Sequence, residues 1–133
     1  MTEIDGEITD LKLQGYIEGP WLYKRNGLYY NIYPGMGRGG ECINYSTAEK
    51  ITGPWTFRGQ VTGAPQNSFT IHPGVVDYKG HTYLFYHTGK LDRDGQKGQS
   101  LRRSVCVDEL FFNEDGTIKP VTQTKEAITE PLK

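Results

Sequence analysis

The sequence predicts an all-β fold, a partial β-propeller of about two four-stranded antiparallel blades and one leading strand. The main observation is a repeat, because the pattern of residues 18–30 returns about 54 residues later in residues 72–86. Each copy has an ionisable residue beside Gly and Pro, a short apolar strand, a basic-Gly turn and a Tyr-rich strand. Almost every periodic segment also has period two and is short. Repeats of this length built from short strands are typical of propeller blades.

The composition agrees with a β-rich, turn-rich single domain. The 133 residues include 17 Gly, 7 Pro and 9 Tyr. A net charge of −1 gives no electrostatic basis for binding nucleic acid or an anionic membrane, and no apolar run approaches the ~20 residues that span a bilayer. Residues 1–5 contain no signal-peptide pattern, so we expect a cytoplasmic location if the chain is complete and leave the location open otherwise.

The first unit of the chain follows the order expected of a blade. Residues 4–16 alternate weakly in polarity and contain Asp5-Gly6, which predicts one outer strand with a turn, and residues 1–16 are assigned to a preceding blade. The blade itself is predicted over 17–60, with strands over 19–23, 28–33, 41–47 and 55–58. Asn26-Gly27 predicts a type I′ hairpin turn between the first two strands, and the Gly-rich run 34–40 predicts a flexible loop.

The second unit repeats this order. It is predicted over 68–121, with strands over 74–78, 82–86, 101–107 and 117–121. A long polar loop, 89–100, is expected to be mobile or to lie at a cavity mouth. A polar tail, 122–133, completes a single partial domain over 1–133. Two blades cannot close a ring, so we expect the chain either to form a homo-oligomer or to need a missing N-terminal half.

The repeat places two ionisable side chains at equivalent positions. Because the first strand of a propeller blade lines the central axis, Glu18 and His72 should face one shared cavity. Tyr16 and Trp21 flank Glu18, and we expect them to desolvate its carboxyl group partly and to favour the protonated form near neutral pH. The alternative is a glutamate that begins a strand and pairs with an arginine.

Four segments closely resemble glycoside hydrolase family 43: Glu18-Gly19-Pro20-Trp21, Thr52-Gly53-Pro54-Trp55, 68–74 and 102–108. The resemblance covers nearly the whole chain, but it implies only the C-terminal part of a five-bladed propeller enzyme. The family includes β-xylosidases, α-L-arabinofuranosidases and arabinanases. The resemblance therefore implies a glycosidase that hydrolyses O-glycosidic bonds with inversion in arabinose- or xylose-containing plant polysaccharides or oligosaccharides, with a pentose-containing saccharide as partner.

The resemblance also implies a role for each axial residue. Glu18 corresponds to the general acid, which protonates the leaving oxygen. The general base and the carboxylate that modulates the acid belong to earlier blades, so we expect the isolated chain to hydrolyse substrate very weakly or not at all. His72 corresponds to a histidine that often contacts a central calcium ion or a water cluster, and a hydrogen-bonded histidine without metal is the alternative. No cofactor is required, and one structural calcium ion is allowed.

Four residues are candidates for substrate binding: Arg102, Trp21, Phe69 and His87. Arg102 resembles a family arginine that reaches a substrate hydroxyl, and the alternative is a salt bridge to Asp108 or Glu109. His87 is expected either at the cavity rim or in internal packing. The alternative function is a catalytically incompetent half-propeller that binds carbohydrate or assembles with itself.

Overall fold

The computed structural model describes residues 6–124, and these residues form two antiparallel sheets and no helix. A four-stranded sheet in the order β1-β2-β3-β4 precedes a three-stranded sheet in the order β5-β6-β7. The strands are β1 (Trp21–Arg25), β2 (Leu28–Gly37), β3 (Gly40–Ala48), β4 (Thr56–Thr62), β5 (Gly74–Tyr78), β6 (His81–Thr88) and β7 (Ser104–Glu109). The predicted all-β fold of two antiparallel blades is confirmed. The described part of the chain contains no helix long and apolar enough to span a membrane.

Each sheet begins with the same hairpin turn. Asn26-Gly27 joins β1 to β2, and the two residues have φ angles of 48° and 79°. Lys79-Gly80 joins β5 to β6 in the same way, with φ angles of 50° and 83°. Positive φ at both central residues characterises the type I′ turn, whose twist matches that of the paired strands. The predicted turn is confirmed, and its recurrence makes the two blades structurally equivalent.

The predicted loop over 34–40 is wrong, because most of it forms the end of a long hairpin between β2 and β3. The Cys42 thiol donates a hydrogen bond to the carbonyl oxygen of Gly35, with 3.2 Å between the atoms. The backbone N–H of Ile17 donates to the carbonyl oxygen of Pro34 at 3.1 Å. These contacts hold most of residues 34–40 in strand conformation, although the composition of this run alone predicts a flexible loop.

The predicted outer strand over 1–16 is wrong for residues 6–16, and the remainder lies outside the described residues. Residues 6–16 form no strand, and only Tyr16 pairs with β2, through a single bridge. Lys12 and Gly15 have φ angles of 52° and 66°, which interrupt an extended conformation. The segment still covers part of the first sheet, because the ring of Tyr16 lies 5.7 Å from an aromatic ring of β2.

The bounds of β4 and β7 differ from the predicted ones. β4 continues past Gly59, a residue with a φ of 123° at an irregular stretch of its pairing with β3, and so buries Val61 completely. β7 begins at Ser104, because the backbone N–H of Arg102 closes a turn onto Gln99 at 2.8 Å just before it. Burial and turn formation therefore set these bounds more precisely than the polarity pattern does.

The predicted strand over 117–121 is also wrong. In this segment only Ile118 makes a β-bridge, so the second sheet has three strands. The N–H of Ile118 donates to the hydroxyl of Tyr45 at 3.0 Å. The N–H of Val121 donates to the carbonyl oxygen of Val61 at 2.7 Å. The segment therefore bonds to the first sheet instead of extending the second.

A shared core joins the two sheets. Tyr30, Ile32 and Ile43 of the first sheet pack in one cluster with Leu84 and Tyr86 of the second, and each is at most 3% exposed. Burial of such aromatic and branched side chains is the main favourable term in folding. The sheets therefore stabilise one another through their facing surfaces.

Two hydrogen bonds also link β1 directly to β5. The indole Nε1–H of Trp21 donates to the carbonyl oxygen of Val75 at 3.0 Å. The hydroxyl of Tyr23 donates to the carboxylate of Asp77, whose oxygens lie 2.9 and 3.0 Å away. Each bond joins residues 54 positions apart. Equivalent positions of the two blades therefore meet along their first strands.

Replacing Tyr23 by phenylalanine should destabilise the fold, because the hydroxyl that bonds Asp77 is lost while the ring stays in the core. We expect the free energy of unfolding to fall by about 1.5–3 kcal/mol, the usual range for a hydrogen bond to a charged group. Urea unfolding measures the change. The control Tyr29→Phe removes a hydroxyl without a hydrogen bond to any described residue and should have a much smaller effect. Equal losses in the two variants would contradict the role of the Tyr23–Asp77 bond.

Candidate active site

Glu18 and His72 lie just before β1 and β5, the first strands of the two blades, and their side chains meet there. The Oε1 atom of Glu18 lies 3.1 Å from Nε2 of His72, within hydrogen-bonding distance, and the residues are 54 positions apart. The structure therefore brings together the two axial residues that the repeat placed at equivalent positions. The side chains of Glu18 and His72 are 53% and 39% exposed.

The expected desolvation of Glu18 by its aromatic neighbours is not found. Trp21 turns its indole toward the backbone of Val75, and Tyr16 packs against Tyr33. More than half of the Glu18 side chain therefore stays accessible in this chain. The contact with His72 also replaces the expected alternative, in which Glu18 pairs with an arginine.

Gly19 permits the close approach of Glu18 and His72. A Cβ atom at position 19 would lie 2.8 Å from both Cε1 and Nδ1 of the His72 ring, which is closer than real Cβ contacts allow. Gly19 also has a φ of 52°, in the left-handed region that favours glycine. Gly19 is therefore required for two reasons: the backbone has a positive φ at this position, and a side chain would clash with the imidazole of His72.

Glu41 is a third member of the site, and it contacts the segment that carries His72. Its Oε1 atom accepts a hydrogen bond from the backbone N–H of Ile71 at 3.0 Å. The possible ligand atoms of Glu18, Glu41 and His72 all lie within 4.8 Å of one another. The Glu41–Ile71 contact joins residues 30 positions apart, so local sequence patterns contain no signal for it.

His87 lies behind His72 rather than at the cavity rim. It is 9% exposed, its ring centroid is 6.1 Å from that of His72, and neither ring nitrogen bonds to a described residue. Burial lowers the pKa of His87 below its ordinary value, and the positive charge of Arg103 and the proximity of His72 lower it further. His87 is therefore a buried neutral imidazole, and its predicted contact with substrate is not available in this arrangement.

Arg103, not Arg102, extends toward the axial cluster. Nη2 of Arg103 donates to Oγ1 of Thr70 at 3.3 Å, two positions before His72. Nη1 of Arg102 instead donates to the carbonyl oxygen of Lys97 at 3.1 Å. The salt bridge expected as the alternative for Arg102 is absent from residues 6–124. Both arginines lie in the turn that precedes β7, so the side-chain alternation of a strand does not apply to them, and the sequence alone did not identify which one faces the site.

The two aromatic candidates lie in different surroundings. Trp21 is 43% exposed and is fixed by its bond to Val75. Phe69 is 68% exposed, and its backbone N–H donates to Oγ of Ser100 at 2.7 Å. Phe69 and Glu41 line the same surface groove of about 600 Å³. The structure therefore connects Phe69 to the acidic side of the cluster.

Comparison with known proteins agrees with this arrangement of a glutamate and a histidine between two blades. The sequence profile described as glycosyl hydrolases family 43 matches residues 1–118. The chain belongs to this family. The match includes all four segments that carry the resemblance, so the family assignment made from Glu18-Gly19-Pro20-Trp21 and the other three segments is confirmed.

Several characterised family 43 proteins are similar to this chain. A β-D-galactofuranosidase of Aspergillus niger is 29% identical over an aligned length of 140 residues. The alignment covers 96% of this chain and 38% of that protein. A xylosidase/arabinosidase of Bacteroides ovatus is 34% identical, over 77% of this chain and 30% of that protein. The structure of a Bacillus subtilis arabinoxylan arabinofuranohydrolase in complex with cellotetraose aligns with a TM-score of 0.77 at 27% identity, over 97% of this chain and 29% of that one. The chain thus spans about a third of the length of these relatives.

The axial residues could hold a calcium ion only if water completed its coordination. Glu18, Glu41 and His72 offer two carboxylates and one imidazole nitrogen within 4.8 Å of one another. Calcium prefers oxygen ligands at about 2.3–2.6 Å and takes six to eight of them. The carboxylates suit this ion and the imidazole less so, and water must complete the coordination. Glu41 and His72 could hold such an ion, and Oε1 of Glu18 lies 3.1 Å from Nε2 of His72.

Replacing Gly19 by alanine should displace the His72 ring and destabilise the chain. Alanine at positive φ costs about 1–2 kcal/mol by itself, and the contact with His72 adds to that cost. Urea unfolding measures the total, and the NMR shifts of the His72 ring report its displacement. Gly15→Ala is the matched control, since Gly15 also has positive φ but a Cβ there would meet no atom within 4 Å. If both variants leave the His72 signals unchanged, the proposed clash is wrong.

The stability of the chain should fall on acidification, because folded His87 resists protonation. The unfolded chain binds a proton at this residue near pH 6.5, while the lowered pKa keeps the folded residue neutral. Stability from this source is complete above pH 6.5 and is lost below it, by up to ~1.4 kcal/mol per pH unit. Urea unfolding at a series of pH values should give a smaller slope for His87→Gln than for the unmodified chain. Because His81 lies at an exposed position, the control His81→Gln should keep the pH dependence of stability that His87 contributes.

Proposed function

We propose that this chain carries the proton donor of an inverting family 43 glycosidase that acts on arabinose- or xylose-containing saccharides. The observation that carries the proposal is the position of Glu18, whose accessible carboxyl group contacts His72 between two blades. A general acid needs access to the glycosidic oxygen and neighbours that orient its carboxyl group. Solvent exposure gives Glu18 this access, and His72 orients one of its oxygens.

Glu41 is an unsuitable general base for the same reaction. Inversion needs two carboxyl groups roughly 6.5–9.5 Å apart, because a water molecule must fit on the far side of the sugar. The nearest candidate oxygens of Glu18 and Glu41 lie within 4.8 Å, and one oxygen of Glu41 already accepts the N–H of Ile71. We therefore assign Glu41 to positioning. The general base is proposed to come from another part of the propeller, as the family resemblance implies, so the isolated chain should be nearly inactive.

Three side chains around the acid are proposed to hold the sugar. Arg103 is suited to donate to a sugar hydroxyl beside Thr70, which is the role first expected of Arg102. Trp21 and Phe69 each present an exposed aromatic ring on which an apolar sugar face can stack. A calcium ion held by Glu41, His72 and water would supply positive charge at the axis when bound.

The names of the relatives support a saccharide substrate of this kind. The Aspergillus niger protein is a β-D-galactofuranosidase, and the Bacteroides ovatus protein is a xylosidase/arabinosidase. The Bacillus subtilis structure is that of an arabinoxylan arabinofuranohydrolase. Pentose-containing saccharides are the class common to most of these names, so we propose them as the substrate class.

A second candidate function is a half-propeller that binds carbohydrate without hydrolysis or assembles with itself. The observation that favours it is the outer face of the second sheet, where Val76, Phe85 and Val105 are 45%, 42% and 79% exposed. An apolar sheet face of this kind normally packs against a neighbour. Either a further part of the propeller or a second copy of the chain would cover it.

The proton-donor assignment can be tested in a chimera. The segment of the Bacillus subtilis arabinofuranohydrolase that aligns with this chain is replaced by it, so that the host supplies the remaining blades. We expect Glu18→Gln in the chimera to lower kcat on 4-nitrophenyl pentosides by about 10²–10⁴-fold, the usual contribution of general acid catalysis. The loss should be smaller for 2,4-dinitrophenyl pentosides, whose leaving group needs little protonation. Glu114→Gln is the charge-matched control.

The two candidate functions predict different outcomes for the isolated chain. The glycosidase proposal fails if the chimera hydrolyses pentosides and Glu18→Gln does not slow the reaction for either leaving group. The carbohydrate-binding alternative is favoured if the isolated chain binds xylotriose, measured by NMR, and the folded chimera has no activity. Circular dichroism of each chimera verifies that it folds.

A further inference from the structure

The segment from residue 89 to residue 103 carries a concentration of positive charge. It contains five cationic side chains and two carboxylates, a net charge of +3, whereas the whole chain has a net charge of −1. The cations are Lys90, Arg93, Lys97, Arg102 and Arg103. Clustered charge of one sign beside a cleft raises the local concentration of oppositely charged ligands. The segment therefore favours anions although the chain as a whole does not.

Three of these arginines line one cavity of about 290 Å³. Arg93 reaches it from a tight turn closed by two backbone bonds to Gln96, of 3.0 and 2.9 Å. Arg102 and Arg103 enter from the turn that precedes β7. Leu91 contributes an apolar wall. The cavity thus combines three arginine side chains and the carboxylate of Asp94 with a nonpolar surface, at the size of a single sugar residue.

The guanidinium groups of this cavity are incompletely neutralised. Arg93 lies 3.4 Å from the carboxylate of its neighbour Asp94, and that pair is exposed to solvent. Among residues 6–124, neither Arg102 nor Arg103 has a carboxylate within salt-bridge distance. Each donates one hydrogen bond to a neutral oxygen, on Lys97 and Thr70 respectively. Since a guanidinium has five N–H donors, several remain for a ligand.

The cavity adjoins the saccharide site through Arg103. This residue lines the cavity and also contacts Thr70, which lies two positions before His72. The positive charge of Arg103 also helps to lower the pKa of His87. A ligand that contacts Glu18 could therefore reach the cavity with an adjacent group.

We propose that the cavity formed by Arg93, Arg102 and Arg103 binds the carboxylate of a uronic acid branch on the saccharide. The inference rests on the proposed glycosidase function, which supplies the sugar chain to which the branch is attached. A planar carboxylate accepts two parallel N–H bonds from a guanidinium fork, and Leu91 can contact the apolar edge of the sugar ring. The site therefore selects acidic branched saccharides over neutral ones.

Isothermal titration calorimetry of the full chain tests this selection. The probes are a xylo-oligosaccharide that bears one glucuronic acid branch and the same oligosaccharide without the branch. We expect the branched probe to bind about tenfold more tightly at low salt, with the difference shrinking at about 0.5 M NaCl as charge is screened. Arg102→Gln and Arg93→Gln should each reduce the difference severalfold, and Arg102→Lys should restore part of it. Lys50→Gln, which removes an exposed cation elsewhere, should leave it unchanged.

A titration with free glucuronate, followed by NMR, distinguishes failure of this inference from failure of the proposed function. If both oligosaccharides bind with equal affinity, the arginine site is wrong while the proposed function stands. If neither binds but glucuronate shifts the arginine Nε–H NMR signals in a way that Arg102→Gln abolishes, the anion site stands and the saccharide function fails. Equal shifts with glucuronate and with inorganic phosphate would overturn the selection for a carboxylate. The absence of any binding would overturn both.

Discussion

The direct contact between equivalent positions of two successive blades is the constraint on which the rest of the structure depends. Trp21 bonds Val75, Tyr23 bonds Asp77, and Glu18 contacts the corresponding histidine, each across 54 residues. These contacts hold β1 and β5 side by side, so the residues that precede both strands must share one opening. The chemistry of the site follows from this alignment, because two side chains that are far apart in sequence become neighbours at the ends of adjacent strands.

The charge around this opening is distributed unevenly. Glu18 and Glu41 come from the first blade, their carboxylates lie within 4.8 Å of a ring nitrogen of His72, and they are accessible to solvent to different degrees. Arg103 and the buried ring of His87 lie toward the second blade. A sugar placed at the opening would therefore meet proton-donating and negative groups on one side and guanidinium groups on the other. Such an arrangement gives a polar ligand a preferred orientation.

Much of the fold could be predicted from the sequence, because the information lay in local patterns. The Asn26-Gly27 turn and the repeat near Glu18 specify hairpins and blade equivalence without reference to distant residues. The errors arose where remote contacts decide the outcome. The segment after Gly116 reads as a strand, yet its N–H groups bond to Tyr45 and Val61 of the other blade.

The site was predictable to a similar extent. The pairing of Glu18 with His72 follows from the repeat, and the family resemblance from motifs around it. The choice between Arg102 and Arg103 depends on the turn that precedes β7, which contains both residues and directs their side chains to different partners. The contact between Glu41 and Ile71 was not predicted, because the donor is the backbone N–H of Ile71 and a backbone N–H has no sequence signal.

The bonds that connect residues 116–123 to the first blade have a consequence for how the protein folds. The Tyr30 hydroxyl donates to the carbonyl oxygen of Gly116 across 86 residues, and Gln123 donates to that of Gly63 across 60. Such contacts close large loops, and the entropy of loop closure must be lost before they contribute. The contacts around the first sheet are therefore complete only when residues 116–123 are in place, so we expect the two blades to fold as one cooperative unit.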